Sequence, residues 1–245
     1  MESGGHFGEV GRDMKSLTWC LCVCLSVSSG CGVSSTVSQT AQRAGGQQQS
    51  PPQQQPRRAV VAAHSSGSPV LDKLVDAAVE RTNHKVRYDP TYFVIDYPGG
   101  DVPAEVGVCT DEVIRSYRKL GIDLQKEVHE DMRRNFDIYP RKWGLAKPDT
   151  NIDHRRVPNL IVFFSRKGET LPITQNAKDY NPGDIVTWDL GDSLTHIGIV
   201  VGVASEADPE RLLIVHNIGA GPQMEDVLFN WKITGHFRYK GTTRN

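Results

Sequence analysis

The chain has 245 residues, of which 38% are hydrophobic and 23% are charged, as is typical of a soluble globular protein. Its formal net charge of −1 gives no reason to expect a nucleic-acid partner. The length accommodates one domain of ordinary size and an additional tail. Among the 5 cysteines only Cys109 lies beyond residue 31, which excludes a disulfide framework within the domain.

Residues 1–31 have the pattern of a secretory signal. We keep Met14 as an alternative translation start. From Met14 onward, a short segment with a positive charge is followed by an apolar run at residues 17–25 and then by small residues. The run is too short for a permanent transmembrane helix, so we expect an exported protein of the periplasm or cell envelope. The end of this segment is also similar to a bacterial lipoprotein signal, although Ser28 replaces the usual Leu. A lipid anchor at Cys31 is therefore the only membrane attachment that we keep as an alternative.

Residues 32–68 are rich in Gln, Ser, Pro and Gly. They hold too little apolar surface to offset the entropy of ordering, so we predict a flexible tether. One domain is expected to follow over residues 69–245.

Apolar residues at helical spacing predict four helices in the first half of that domain. The first starts near Val70, and the second runs from Cys109 to a stop at Gly121. The third is expected at about residues 123–138 and the fourth at residues 158–168, where a proline opens the helix.

After residue 180 the pattern changes from helix to strand. Short β-rich runs, separated by turn residues, cover residues 184–188, 196–201, 212–216 and 235–239. Helices first and an antiparallel meander afterwards predict an α+β fold, with the helices packed on a sheet.

Cys109 lies at the predicted junction between a Gly/Pro-rich loop and a helix. The free N–H groups and the dipole of a helix N-terminus stabilise a thiolate, and cysteines there can titrate at roughly 3.5–7.5 instead of about 8.5. The same N–H groups can hold an oxyanion during acyl transfer. An isolated cysteine is more often a buried structural residue. This position nevertheless predicts a nucleophile with a lowered pKa.

A thiolate hydrolase also needs a base that becomes the general acid for the leaving amine. His196 opens a predicted strand directly after a turn, and His216 ends the next strand. If the two strands pair as a hairpin, both histidines reach the same end of the sheet, as a base and a residue that orients it. The competing interpretation is a zinc site, because Cys109 and the two histidines are also metal ligands.

Three motifs carry a resemblance to a known enzyme family. They are Asn181-Pro182-Gly183-Asp184-Ile185-Val186-Thr187-Trp188, His196-Ile197-Gly198-Ile199-Val200 and Val215-His216-Asn217. They resemble the signature of NlpC-type cysteine peptidases, papain-like enzymes that cut peptidoglycan stem peptides. The resemblance implies that Cys109 is the nucleophile, His196 the base and His216 the orienting residue. It also implies a positioning or oxyanion role for Tyr97, which precedes a Gly-Gly pair.

A second resemblance, to the bacterial YijF-like family, spans nearly all of residues 70–240. That family is known as a domain of unknown function and is grouped with the NlpC-type enzymes. The matching segments are Val86-Arg87-Tyr88-Asp89-Pro90, Tyr97-Pro98-Gly99-Gly100-Asp101-Val102-Pro103, Gly107-Val108-Cys109-Thr110-Asp111 and Asn151-Ile152-Asp153-His154-Arg155-Arg156-Val157-Pro158-Asn159-Leu160.

Two features depart from the NlpC pattern where a substrate would bind. Thr110-Asp111 follows the nucleophile in place of Ser-Gly, and an insert covers about residues 123–158. Residues 153–155 in this insert are dense in functional groups, and Arg suits bidentate pairing with a peptide carboxylate. A loop held by its own salt bridges is the alternative. The candidates for substrate binding are Asp111, Asp153, His154 and Arg155.

The combined expectation is a monomeric α+β, papain-like domain in which helices carry Cys109 and an antiparallel sheet carries both histidines. We expect it to hydrolyse an amide bond of cell-wall peptide, without a cofactor, a metal ion or a nucleic-acid partner. A non-catalytic or zinc-holding envelope binding module on the same fold is the alternative.

Overall fold

Four helices form where the apolar residues recur at helical spacing. A computed structural model of the protein describes residues 64–242, and the predicted signal and most of the predicted tether lie outside them. The helices are α1 (Pro69–Arg81), α2 (Cys109–Lys119), α3 (Leu124–Arg134) and α4 (Val157–Lys167). Within residues 64–242, every helix is too short or too polar to cross a membrane.

The ends of these helices follow from local chemistry. At the start of α2, the carboxylate of Asp111 accepts a hydrogen bond of 2.7 Å from the N–H of Val108, as in a capping box. Beyond its last turn Gly121 has φ +77°, which favours glycine and stops the helix. The third helix is shorter than predicted. It ends at Arg134 because Asn135 leaves the helical region with φ −140° and ψ 35°, and Phe136–Ile138 forms a separate 3₁₀ turn.

The second half of the domain forms one antiparallel sheet with the strand order β3-β8-β4-β5-β6-β7. Its strands are β3 (Glu169–Thr170), β4 (Ile185–Gly191), β5 (Leu194–Ala204), β6 (Leu212–His216), β7 (Gln223–Glu225) and β8 (Lys232–Arg238). A separate parallel pair joins β1 (Arg87–Tyr88) to β2 (Val106–Gly107). The four central strands match the predicted runs, whereas the short edge strands β3 and β7 were not predicted.

Both faces of the sheet are covered, because the side chains of each strand alternate between them. On the helical face, Ile197 and Ile199 of β5 pack with apolar residues of all four helices. On the other face, Val200 packs with Trp188 and with Leu228 from the segment between β7 and β8. Burial of a large apolar side chain contributes about 1.5–3 kcal/mol, so this double packing holds β5 and its neighbours rigidly.

The predicted α+β arrangement is confirmed. Cys109 belongs to a helix that packs on the sheet, and His196 and His216 belong to adjacent central strands of that sheet. Strands β5 and β6 pair antiparallel, with Ile199 opposite Val215, so the predicted hairpin that brings the histidines to one end is present.

Candidate active site

Cys109 is the first residue of α2 and lies against strand β5. Its sulfur faces the backbone N–H groups of Ile197 and Thr110, which favour a negative charge on it. Only 4% of the residue is exposed. That exposed part faces a cavity of about 630 Å³, whose walls include Tyr88, Trp143 and Leu194. A helix N-terminus therefore places the thiol at the floor of a cavity large enough for a small peptide segment.

The charge state of the thiol differs from the expectation based on sequence. Burial raises the pKa of Cys109 to about 12, an effect that outweighs the N–H groups facing the sulfur. Burial, together with the neighbouring His216, lowers the pKa of His196 to about 3. The helix N-terminus is present as predicted, but in this conformation the thiol and the imidazole are both neutral at pH 7.

His196 and His216 form a direct pair. Nε2 of His196 lies 2.9 Å from Nδ1 of His216, and the two rings are almost perpendicular at 80°. Both residues are buried, with exposures of 2% and 1%. One nitrogen of each ring is used in this contact, which leaves Nδ1 of His196 and Nε2 of His216 for other partners.

Gly198 makes room for this pair. It lies two residues after His196 on the same strand, and a Cβ added to it would meet Cβ of His216 at 3.2 Å and Cγ2 of Ile214 at 2.6 Å. A side chain at this position would therefore push β6 and the ring of His216 away. The His-x-Gly part of the motif has a packing reason as well as a chemical one.

Two tryptophans complete the surroundings of His196. The rings of Trp188 and Trp231 have centroids 5.7 Å and 5.9 Å from the His196 ring. Trp188 is fully buried, and its indole N–H donates to the carbonyl of Leu228 at 2.9 Å. These apolar rings remove water from the imidazole, which is the physical cause of its lowered pKa.

Beyond the histidines lies a carboxylate that sequence reasoning missed. Nε2 of His216 is 2.9 Å from Oε2 of Glu225 on the edge strand β7. The result is a continuous chain of contacts from His196 through His216 to Glu225. A three-residue strand without a clear hydrophobic alternation gives no sequence signal, so Glu225 could not be placed beside His216 in advance.

Cys109 and His196 belong to elements that pack against each other, α2 and β5, but their side chains are not hydrogen-bonded. Among the described residues, no hydrogen bond joins the sulfur of Cys109 to the ring of His196. The sulfur instead faces the N–H of Ile197, the residue directly after that base. The cavity lining includes Cys109 and Thr195 but neither histidine. Proton transfer from the thiol would therefore require a movement that brings Nδ1 of His196 within hydrogen-bond distance of the sulfur.

Tyr97 does not line this cavity. Its ring packs edge-on against His129, with centroids 4.9 Å apart, and 40% of the residue is exposed. The tyrosine beside the thiol is Tyr88, whose pKa is raised to about 12 by burial and by the nearby Cys109 and Asp111. Tyr88 belongs to one of the segments shared with the YijF-like family, but nothing in the local sequence distinguishes it from Tyr97.

The four substrate-binding candidates are largely occupied by contacts within the protein. Arg155 holds both carboxylate oxygens of Asp111, and both side chains are almost fully buried. Asp153 accepts from the N–H of Asp149 and from Arg156, and burial raises its pKa to about 6. These contacts favour the alternative of a loop held by its own salt bridges.

His154 is also buried, and it does not line the cavity. Burial and the nearby Arg155 and Arg118 lower its pKa to about 3, so it is neutral at pH 7. Of the four candidates only Arg155 reaches the cavity wall, where Arg156 and Lys142 join it. The candidate segment thus contributes Arg155 and the neighbouring Arg156 to the cavity wall, whereas Asp111, Asp153 and His154 do not line it.

The zinc interpretation lacks a ligand set. Within residues 64–242, no group of three or more His, Cys, Asp or Glu side chains is arranged to hold a metal ion. The facing nitrogens of His196 and His216 are already joined by a hydrogen bond, and Cys109 does not complete a triad of ligands with them.

Comparison with known proteins confirms the resemblance to the YijF-like family. Residues 75–239 match the family model described as "Domain of unknown function (DUF1287)". "Uncharacterized protein YijF" of Escherichia coli (strain K12) is 54% identical over 167 residues, which is 68% of this chain and 80% of that protein.

Among solved structures, "Structure of NlpC1 from Trichomonas vaginalis" is 15% identical with a TM-score of 0.39. The match covers 72% of this chain and 46% of that one, so this chain spans less than half of the length of NlpC1. The family model, by contrast, covers most of the domain together with Cys109, His196 and His216. The chain therefore belongs to the DUF1287 family, as its resemblance to the YijF-like family predicts.

Proposed function

We propose that this protein is a thiol-dependent hydrolase of amide bonds, with Cys109 as the nucleophile and His196 as the base. The observation that carries the proposal is the contact between the start of α2 and strand β5. There the sulfur of Cys109 faces the N–H of Ile197, one residue from His196. The nucleophile and the base thus belong to two elements that pack directly against each other, as a thiol–imidazole mechanism requires.

The chemistry follows from the neutral state of the pair. His196 accepts the thiol proton as the sulfur attacks the carbonyl carbon, and it gives that proton to the leaving amine, so that Cys109 keeps the acyl group as a thioester. In the second half of the reaction His196 takes a proton from the water that attacks this thioester and returns it to the sulfur, which releases the acid and restores the thiol. The free backbone N–H groups at the start of α2 stabilise the oxyanion of the tetrahedral intermediate. His216 stabilises the imidazolium that forms in between, through the hydrogen bond to Nε2 of His196.

We infer that the substrate is a peptide of the bacterial cell wall and that the protein works in the cell envelope. Lys142 and Arg156 give the cavity wall a positive charge, whereas the charge of Arg155 is paired with the buried Asp111, and none of the lining residues is acidic. Such a wall favours a peptide that carries carboxylates. The NlpC-type motifs and the secretory pattern of residues 1–31 support the same assignment.

A non-catalytic binding module is the second candidate, and the burial of the thiol favours it. The two are separated by incubating purified sacculi with the wild type and with Cys109→Ala, then identifying released fragments by mass spectrometry. The variant should remain folded, because the loss of one buried sulfur costs about 1 kcal/mol. We expect fragments from the wild type only and binding of sacculi by both proteins. Binding by both without any fragments would establish the binding module instead.

A further inference from the structure

Glu225 has a role that the proposed hydrolase does not yet include. Strand β7 pairs with β6 so that Gln223 is opposite His216 and Glu225 is opposite Ile214. A long side chain can reach a diagonal neighbour across two strands. The carboxylate of Glu225 does so, and Oε2 lies 2.9 Å from Nε2 of His216.

The position of the carboxylate is fixed from a second side. In the orientation that satisfies its hydrogen bonds, the amide of Gln223 donates to both oxygens of Glu225, at 3.2 Å and 3.3 Å. The side chain of Glu225 is 42% exposed, whereas that of His216 is 1% exposed. The carboxylate therefore contacts water on one side and the buried histidine on the other.

The donor and acceptor inventory then determines the position of each proton. A carboxylate only accepts, so Nε2 of His216 must carry a hydrogen. In a neutral ring Nδ1 of His216 is then an acceptor, and Nε2 of His196 must donate to it. This leaves the lone pair of His196 on Nδ1. That is the only form in which Nδ1 can accept the proton of a thiol.

We propose that Glu225 is a positioning residue that sets the tautomer of His216 and, through it, the tautomer of His196. The role rests on the proposed function, since it matters for catalysis only if His196 is the base. Glu225 contacts neither Cys109 nor the cavity. Without this carboxylate either nitrogen of His216 can carry the hydrogen. If Nδ1 of His216 carries it, that nitrogen donates to Nε2 of His196, and the hydrogen of His196 then lies on Nδ1, which can no longer accept the thiol proton.

The tautomers can be measured without any turnover. Long-range ¹H–¹⁵N spectra of the labelled full chain at pH 7 distinguish an Nε2–H ring from an Nδ1–H ring. Single His→Gln variants at positions 196 and 216 assign the signals. We expect both rings to be Nε2–H in the wild type and in Glu225→Gln, whose amide oxygen still accepts. In Glu225→Ala we expect a mixture of tautomers at both rings.

The neighbouring Asp226→Asn is the matched control. Asp226 pairs with Arg211 and Ser205 and does not contact His216, so this variant should keep the tautomers of the wild type. An Nδ1–H tautomer at His196 in the wild type, or unchanged tautomers in Glu225→Ala, would overturn the proposal.

Hydrolysis provides a separate readout. If the wild type releases fragments from sacculi, Glu225→Ala should lower kcat by about tenfold with little change in KM, and Glu225→Gln should restore most of it. If the wild type releases none, the proposed function fails while the tautomer result still decides the role of Glu225.

Discussion

Arg155 holds both carboxylate oxygens of Asp111, with Nε 2.9 Å from Oδ1 and Nη2 3.0 Å from Oδ2. The pair joins the first turn of α2 to the segment before α4, and both side chains are at most 3% exposed. The remaining polar atoms are also engaged, since Asp111 accepts from Val108 and Arg155 donates to the carbonyl of Thr91. Two residues that the sequence suggested for substrate binding thus hold the wall of the site together.

The pair makes a prediction about stability. Arg155→Met should lower the free energy of unfolding by about 3–5 kcal/mol, because it leaves the carboxylate of Asp111 buried and unpaired. The exposed pair of Arg141 and Asp137 provides the control, and Arg141→Met should cost less than about 1 kcal/mol. Urea unfolding measures both. A stable Arg155→Met that only weakened substrate binding would return Arg155 to the role of a substrate clamp.

Cys109 should react slowly with iodoacetamide at neutral pH. A pKa of about 12 leaves far less thiolate at pH 7 than free cysteine has, so the rate should rise with pH well beyond the point where free cysteine levels off. Mass spectrometry of the peptide that contains Cys109 measures the rate, and the urea-unfolded chain is the reference. Faster reaction than free cysteine at pH 6 would show a thiolate–imidazolium pair, as the sequence alone suggests.

The two histidines should differ in importance. His196→Ala should remove the general base and lower kcat by about a hundred- to ten-thousand-fold. His216→Ala should cost less, because His216 orients a proton acceptor and does not itself receive the proton. Both are assayed on one substrate together with the exposed control His84→Ala. If His216→Ala were the more damaging, the roles would have to be exchanged, and two active variants would refute the triad.

Gly198→Ala should uncouple the histidine pair without unfolding the domain. The added Cβ would come within 2.6 Å of Ile214 and 3.2 Å of His216, so strand β6 has to shift. Overpacking of this kind costs about 1–3 kcal/mol. We expect a folded protein that has lost most of its hydrolysis, with altered imidazole signals of His196 and His216. Full activity would show that the close approach of β5 and β6 is dispensable.

Asp131 should make stability depend on pH in acid. Burial alone would raise its pKa, but hydrogen bonds from Arg166, Tyr139 and Lys167 lower the pKa to about 2, below the ordinary 3.8. A lowered pKa contributes stability above the ordinary value, and the contribution is lost as the pH falls from about 4 to about 2.

The measurement for Asp131 is urea unfolding of the wild type and of Asp131→Asn between pH 6 and pH 2. The wild type should be more stable at pH 6, and the difference should narrow as the carboxylate becomes protonated. A difference that stayed constant over this range would show that Asp131 contributes through packing and not through its charge.

The predictions that succeeded rest on periodicity and on adjacency along the chain. The helix start at Cys109 and the strands with His196 and His216 have strong local patterns, and pairing of β5 with β6 follows from their proximity in sequence. The role of residues 153–155 could not be predicted from such patterns, because the local sequence does not show whether an arginine is free or is paired with a distant carboxylate, as Arg155 is with Asp111.

Burial is the other property that local sequence does not reveal. The expected lowering of the Cys109 pKa used the helix N-terminus alone, whereas the thiol is covered by packing between α2 and β5. Glu225 was missed for a related reason, since its contact with His216 depends on an edge strand of three residues. The burial of Cys109 arises from contacts between segments that are distant in sequence, and the contact of Glu225 arises from a strand pairing that the local sequence does not indicate.

The tryptophans around His196 give the protein an optical reporter. A protonated imidazole quenches the fluorescence of an indole ring that it touches, and the rings of Trp188 and Trp231 lie within 6 Å of His196. Their emission should therefore dim when His196 acquires a proton during turnover. Trp143 lines the cavity wall, so its emission should respond to a bound ligand instead. Proton transfer and ligand binding should thus both be measurable by intrinsic tryptophan fluorescence, without a label.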